Sequence, residues 1–341
     1  MGRNLMDIIA ISGKTDWEKS LSKVPRHDFY HSMDFHRISS RNGEGNPLLF
    51  DIRLERGGVL FPLMSRSIED STLKDLTSVY GYPSPLTYGE IDGAEIPCFW
   101  DSFISYLYRQ GYVSLFSRCH PLVTPEILGE ELFQRSGRVV IIRLDRPEEE
   151  QVGEYRTNHK RDIRKLERIG VRCQQSSSAK DLADFVANYE ATMRSLDAAP
   201  YYFFPENYYR QLLDAEAFDT RIYSCTLDGS AICSGIFVFC GEFVQYHLGG
   251  TAPGFGNLAP TKLMFDTVRK DAARQGYKYF CLGGGHGCHE DSLFMFKAGF
   301  SRFTRDFFLI RKIINHEEYQ RLSESVPLDT NYFPKYRALK K

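Results

Sequence analysis

Apolar and polar positions alternate along two stretches that each surround a tight turn. Leu48-Leu-Phe-Asp-Ile-Arg-Leu-Glu-Arg-Gly-Gly-Val-Leu-Phe-Pro-Leu reads as strand, Gly57-Gly58 turn, strand. Arg221-Ile-Tyr-Ser-Cys-Thr-Leu-Asp-Gly-Ser-Ala-Ile-Cys-Ser-Gly-Ile-Phe-Val-Phe reads the same way around Asp228-Gly229. Runs rich in β-branched and aromatic residues on either side of a Gly turn are hairpin signals. Each hairpin follows a stretch with helical spacing, near 15–22 and 180–195. After the second come a strand over 242–248, a helix over 260–275 and a strand over 277–282, with Gly276 placed to end the helix. The first is followed by a helix near 97–110 and a strand near 113–116. The repeated order predicts two related α+β domains of mixed sheet flanked by helices. A strand over 139–144 and the acidic, Pro-containing segment 145–150 place the boundary between residues 150 and 151.

The 341 residues are long enough for two domains. With 43 Lys plus Arg against 44 Asp plus Glu, the net charge of −1 excludes a generally basic coat for nucleic acid, and no DNA partner is expected. No apolar run approaches the roughly 18–20 residues that span a bilayer. The first residues lack the long apolar core of a secretory signal. The eight Cys are scattered, mostly in strand-like text, as expected of buried thiols in a reducing cytoplasm.

Six stretches can carry chemistry. Tyr155-Arg-Thr-Asn-His-Lys-Arg-Asp-Ile-Arg-Lys-Leu-Glu-Arg-Ile-Gly-Val-Arg reads as a helix ending near Gly170, with Ile163, Leu166 and Ile169 as its apolar line. Lys160, Arg161, Arg164, Lys165 and Arg168 form either a solvated face or a local phosphate-contact surface. The loop around Gly254-Phe-Gly256 precedes a helix, so it can offer N–H groups to a phosphate or simply turn. Gly283-Gly-Gly-His-Gly-Cys-His follows a strand. There Gly284 and Gly285 let a backbone approach a ligand. The spacing of Cys281, His286, Cys288 and His289 matches no standard zinc pattern, and no metal is expected. Lys297 sits among Phe294, Phe296 and Phe300, as a snorkelling surface residue or as a desolvated cation facing an anionic group. Tyr80 and Tyr82 lie on a Gly/Pro loop, and Arg194 lies near Tyr201, Tyr202, Tyr208 and Tyr209. Such groups touch ligands or pack as half-buried rings. Dinucleotide, Walker, zincin, nucleophile-elbow and kinase motifs are absent.

Together these segments resemble the FemA/FemB-type aminoacyltransferases and the wider double-domain GNAT-like N-acyltransferases. The resemblance rests on Asn158-His-Lys-Arg-Asp-Ile-Arg-Lys, Tyr246-His-Leu-Gly-Gly, the Gly283 run, Tyr80-Gly-Tyr-Pro-Ser-Pro and above all Phe296-Lys297-Ala-Gly-Phe300. It implies two tandem GNAT-like domains, a degenerate one over 1–150 and a transferase over 151–341. It implies transfer of an activated acyl group to a primary amine. In the Fem branch the donor is aminoacyl-tRNA and the acceptor the amine of a cell-envelope precursor or amino sugar. In the other branch the donor is acyl-CoA. No tightly bound cofactor is implied in either. Phe296 and Lys297 would stand at the transfer site. Tyr246, Tyr80, Tyr82, Arg194, Gly284 and Gly285 would bind substrate, and Lys160, Arg161, Arg164, Gly254 and Gly256 donor phosphate. Thr251 stands where CoA-binding GNAT enzymes usually carry Arg or Gln. A non-catalytic binding protein on the same scaffold is the reading from a different class.

Overall fold

The structure, a computed structural model, describes residues 6–129, 132–176, 178–324, 326 and 330–338. The chain forms two compact units. One runs up to Ser136 and resumes at Asp306, and the other spans Gly137–Arg305. The expected boundary at 150 therefore differs from the compact units at both ends.

In the first unit, β1 (Ile8–Ile11), α1 (Lys14–Leu21) and α2 (Met33–Arg41) precede the hairpin of β2 (Asn46–Arg53) and β3 (Gly57–Ser67). Then come β4 (Lys74–Thr77), β5 (Leu86–Gly89), α3 (Ile96–Arg109) and β6 (Tyr112–Arg118). The second unit contains most of β7 (Phe133–Arg143), followed by α4 (Glu148–Gly153), α5 (Thr157–Arg168), β8 (Arg172–Ser176), α6 (Ala179–Ser195) and α7 (Glu206–Leu213). It continues through β9 (Asp219–Leu227), β10 (Ser230–Cys240), β11 (Phe243–Thr251), α8 (Thr261–Arg274), β12 (Tyr279–Gly283) and α9 (Ser292–Lys297). The chain then returns to the first unit through β13 (Thr304–Ile313) and α10 (His316–Ser323).

The strands of the two units share one plan. The first is ordered β1-β2-β3-β4-β6-β13, with β5 also on β3, and the second β8-β9-β10-β11-β12-β7. In each, a hairpin leads to a third strand, and a helix (α3 or α8) carries the chain to a parallel fourth, β6 beside β4 and β12 beside β11. The antiparallel strand that follows is exchanged. β6 pairs with β13, while β12 pairs with β7. This exchange explains why a contiguous boundary was expected. Local pattern marks each strand but not a partner far along the chain.

The hairpins form for different reasons. Asp228 and Gly229 both have positive φ, at 50° and 80°, which is the two-residue turn that suits strand twist. Gly57 and Gly58 lie in β3 rather than at the turn. A Cβ on Gly57 would fall 2.4 Å from the Tyr88 carbonyl oxygen, and one on Gly58 2.4 Å from the Tyr88 hydroxyl, so β5 requires both to be bare. Gly276, with φ of 84°, ends α8 as expected.

The helices of the second unit cover both faces of its sheet. Ser234 of β10 accepts from Asn188 of α6, whereas its neighbour Cys233 meets Thr261 of α8. Successive strand residues face opposite ways, so α6 and α8 lie on opposite sides. Beneath α8, Phe237, Met264, Phe265, Val268, Phe280 and Phe300 form the core. Each such side chain contributes about 1.5–3 kcal/mol on full burial. In the first unit Phe50, Phe61, Phe99, Phe103 and Leu107 do the same under α3. Among the described residues no helix is long and apolar enough to cross a membrane.

Candidate functional site

The end of β12 and the short helix α9 build the site. Gly283 leaves the strand with φ of 80°, and a Cβ there would sit 3.4 Å from the Lys297 ammonium. Gly285 has no room for a side chain, because a Cβ would lie 2.1 Å from the His289 carbonyl oxygen and 2.3 Å from Asp291 Oδ1. Asp291 closes this turn. Its carboxylate accepts from the N–H of Phe294 at 2.9 Å and of His286 at 3.0 Å, which holds its pKa below the usual carboxylate value.

Lys297 ends α9. Its side chain is 7% exposed, so it does not snorkel, and its ammonium donates to the Gly284 carbonyl at 2.7 Å. The same ammonium lies 5.9 Å from the Tyr246 ring centre, within cation–π range. Burial lowers its pKa to about 8, against an opposing pull from Asp291. Lys297, Tyr246, Gly284 and Gly285 are thus brought together. Phe296 is half-buried, with its ring 6.2 Å from Phe265 and 5.8 Å from Phe300. A buried cation beside an aromatic wall can stabilise negative charge, or release a proton near neutral pH.

The other candidates stand on other elements. Tyr80 and Tyr82 belong to the first unit, where Tyr82 meets Tyr30 and Phe307 edge-on at 5.8 and 5.4 Å. Arg194 is exposed on α6 and pairs with Glu190 one turn back. Tyr208 and Tyr209 pack as buried rings, and the Tyr208 hydroxyl meets His247 Nε2 at 3.0 Å. Lys160, Arg161 and Arg164 lie on α5, where Arg161 pairs with Asp162. Gly254 and Gly256 are exposed in the loop before α8, and the φ of 86° at Gly254 accounts for glycine there. Cys281 is buried in β12, His286 and His289 are exposed, and the Cys288 side chain lies outside the described residues.

One residue escaped the sequence reading. Ile163 and Leu166 of α5 are buried as expected, but Ile169 is 41% exposed beyond the helix end. The third buried position is His159, four residues before Ile163 and seven before Leu166, which is the spacing of one helix face. Its Nε2 is hydrogen-bonded to the Phe296 carbonyl at 3.0 Å, and its Nδ1 lies 3.1 Å from Asn158 Oδ1. A Cβ on Gly299 would collide with the ring, at 2.3 Å from Nε2. Burial lowers its pKa to about 4, so the ring is neutral at pH 7. His159 therefore clamps the backbone carbonyl just before Lys297. His159→Leu is expected to lower kcat by about tenfold to a hundredfold with little change in KM. His159→Gln, which keeps an N–H donor, should recover part of it. Equal kcat in wild type and His159→Leu would remove this positioning role.

Residues 153–291 match the family model of an acetyltransferase (GNAT) domain. The chain carries a GNAT domain. With this domain the protein is an acyltransferase. Among solved structures it is similar to FemX, at 13% identity and TM-score 0.70 over 93% of this chain and 99% of that one. It is also similar to the C-terminal domain of a putative lysylphosphatidylglycerol synthetase from Agrobacterium fabrum, at 12% identity and TM-score 0.56 over 87% and 92%. A third is a tandem GNAT protein from the clavulanic acid biosynthesis pathway, at 9% identity and TM-score 0.50 over 90% and 98%. At these identities the likeness shows the fold, a tandem GNAT architecture. No curated protein matches the chain in sequence.

Proposed function

We propose that this acyltransferase moves an aminoacyl group from aminoacyl-tRNA onto a primary amine of a cell-envelope precursor or amino sugar, in the cytoplasm. The buried Lys297, held between the Gly284 carbonyl and the Tyr246 ring, is the observation that carries this reading. The fold likeness to FemX and to a putative lysylphosphatidylglycerol synthetase supports it.

In the proposed reaction the neutral amine attacks the ester carbonyl of the donor. A C–N bond forms, the bond to the ribose oxygen breaks, and a proton passes from nitrogen to the leaving oxygen directly or through water. Negative charge grows on the carbonyl oxygen before that bond breaks. Lys297 supplies the facing positive charge. The backbone around Phe296 supplies polar contacts, and Tyr246, Gly284 and Gly285 shape the acceptor side. Tyr80, Tyr82 and Arg194 add substrate contacts. Lys160, Arg161 and Arg164 hold donor phosphate, with Gly254 and Gly256 as a second phosphate-facing loop.

An acetyl- or acyl-CoA donor is the second reading, favoured by the acetyltransferase description of the matched domain. Purified protein distinguishes the two. Filter binding is measured with charged and uncharged tRNA, beside thermal shift with acetyl-CoA and longer acyl-CoAs. The expected result is salt-sensitive retention of charged tRNA with no shift by CoA thioesters. A CoA shift without tRNA retention would replace the donor. Neither signal would favour a binding module over an enzyme of either kind.

A further inference from the structure

A cavity of about 550 Å³ opens beside the start of α5. Arg156, Lys160 and Arg302 contribute to its wall, with Thr157 and Ala298. Among the described residues no carboxylate pairs with any of these three cations. Elsewhere in the same unit cations find partners, as Arg143 does in Asp145, Lys262 in Asp162 and Arg269 in Asp266. The one acid in the cavity wall, Glu154, is already engaged. It accepts from Arg146 at 3.1 Å, from the Ser301 hydroxyl at 2.8 Å and from the Arg302 N–H at 3.0 Å. Three like charges around one hollow repel one another, and an anion placed among them relieves that repulsion.

The place of this cavity matters as much as its charge. Ala298 in its wall directly follows Lys297. Arg156 donates to the Met295 carbonyl of α9 at 3.1 Å, so one guanidinium joins the cavity wall to the helix that carries Lys297. A guanidinium has five donors and can hold both a carbonyl and an anion. In addition, the first turn of α5 has no side-chain cap. The volume leaves ample room for a phosphate or diphosphate group.

We propose that this cavity binds a phosphate or diphosphate group carried by one of the two substrates. The proposal deepens the acyl-transfer reading and rests on it for the word substrate. It adds Arg156 and Arg302 to Lys160, and it assigns Arg156 a second task, to tie an occupied cavity to the α9 turn.

The test is calorimetric titration of the full chain with inorganic pyrophosphate in a phosphate-free buffer. The wild type is expected to bind. The double variant Lys160→Met, Arg302→Met should bind about tenfold more weakly or worse, with unchanged thermal unfolding because both side chains lie at the surface. Arg168→Met, on the same helix but outside the cavity wall, should bind as the wild type does. No wild-type binding, or binding unchanged in the double variant, overturns the site. Competition then identifies the source. Displacement of pyrophosphate by acetyl-CoA, by a nucleotide-diphosphate sugar or by uncharged tRNA names the substrate that fills the cavity. Displacement by none reduces it to an adventitious ion only and overturns the substrate assignment. None of these readouts needs turnover. A protein inactive with every donor but with cavity-dependent pyrophosphate binding would refute the acyl-transfer reading and keep the anion site.

Discussion

Replacing Lys297 with Met is expected to lower kcat by about a hundredfold to a thousandfold, the range seen when a group facing a developing oxyanion is removed. The fold should survive, for a reason visible in the titration of this group. Burial lowers the Lys297 pKa to about 8, whereas the unfolded chain carries an ordinary Lys near 10.4. Between these values the unfolded state binds more protons, so stability rises with pH across that window. Below pH 8 the protein carries the full cost of a desolvated ammonium. Lys297→Met removes that cost, and it should melt no lower than the wild type at pH 7. Activity follows the opposite sign. If the cation is the working form, kcat falls as pH rises through about 8, and the variant lacks that limb. Undiminished kcat in Lys297→Met would sink the assigned role. A collapse in melting temperature would instead make Lys297 a structural residue.

Acid should begin to destabilise the protein from about pH 6.5, above the range in which its carboxylates titrate. His31 and His36 are buried in the first unit, His159 and His247 in the second, and all four have lowered pKa values. Burial is the leading cause in each, and at His31 the nearby His120, His27 and His36 add to it. For His36 the value is about 4, and for His247 about 3. Each folded value lies below the ordinary 6.5, so the unfolded state takes up protons first and stability falls as pH drops below 6.5. At about 1.4 kcal/mol per pH unit, His36 alone removes about 3 kcal/mol between pH 6.5 and 4. Domains are stable by only about 5–15 kcal/mol, so these buried rings together erode a large share of the stability as pH falls toward 4. Urea midpoints at pH 7, 6, 5 and 4 should fall steeply over the last two steps. His36→Gln should flatten part of that fall. Equal midpoints at pH 7 and pH 4 would mean that these rings do not stay neutral when folded.

Much of the local structure was legible because it is local. The Asp228-Gly229 turn demands positive φ at two successive residues, and that chemistry is written in the dipeptide. Gly276 after a periodic helix is a stop signal of the same kind. The aromatic setting of Lys297 marked it as unusual, and the Gly283 run marked a strand end that packs backbone closely. In contrast, Gly57-Gly58 looked like a turn and is a strand laid against β5. The sequence shows that a side chain is absent, but not what fills its place.

Residue order alone thus determined the two hairpins, the helices α1, α3, α5, α6 and α8, several of the strands, the repeated α+β plan and the short segment Phe296–Lys297. Tertiary structure decided which strands exchange, since β6 finds β13 and β12 finds β7 across long stretches of chain that leave no periodic trace. It decided that Lys297 is buried rather than snorkelling, because burial depends on what packs above a residue and not on its neighbours in the chain. It also placed His159 against the Phe296 carbonyl, and gathered Arg156, Lys160 and Arg302 around one cavity. Local pattern follows from backbone geometry within a turn or two of helix. Burial, pKa and charge convergence are sums over atoms that only folding brings near.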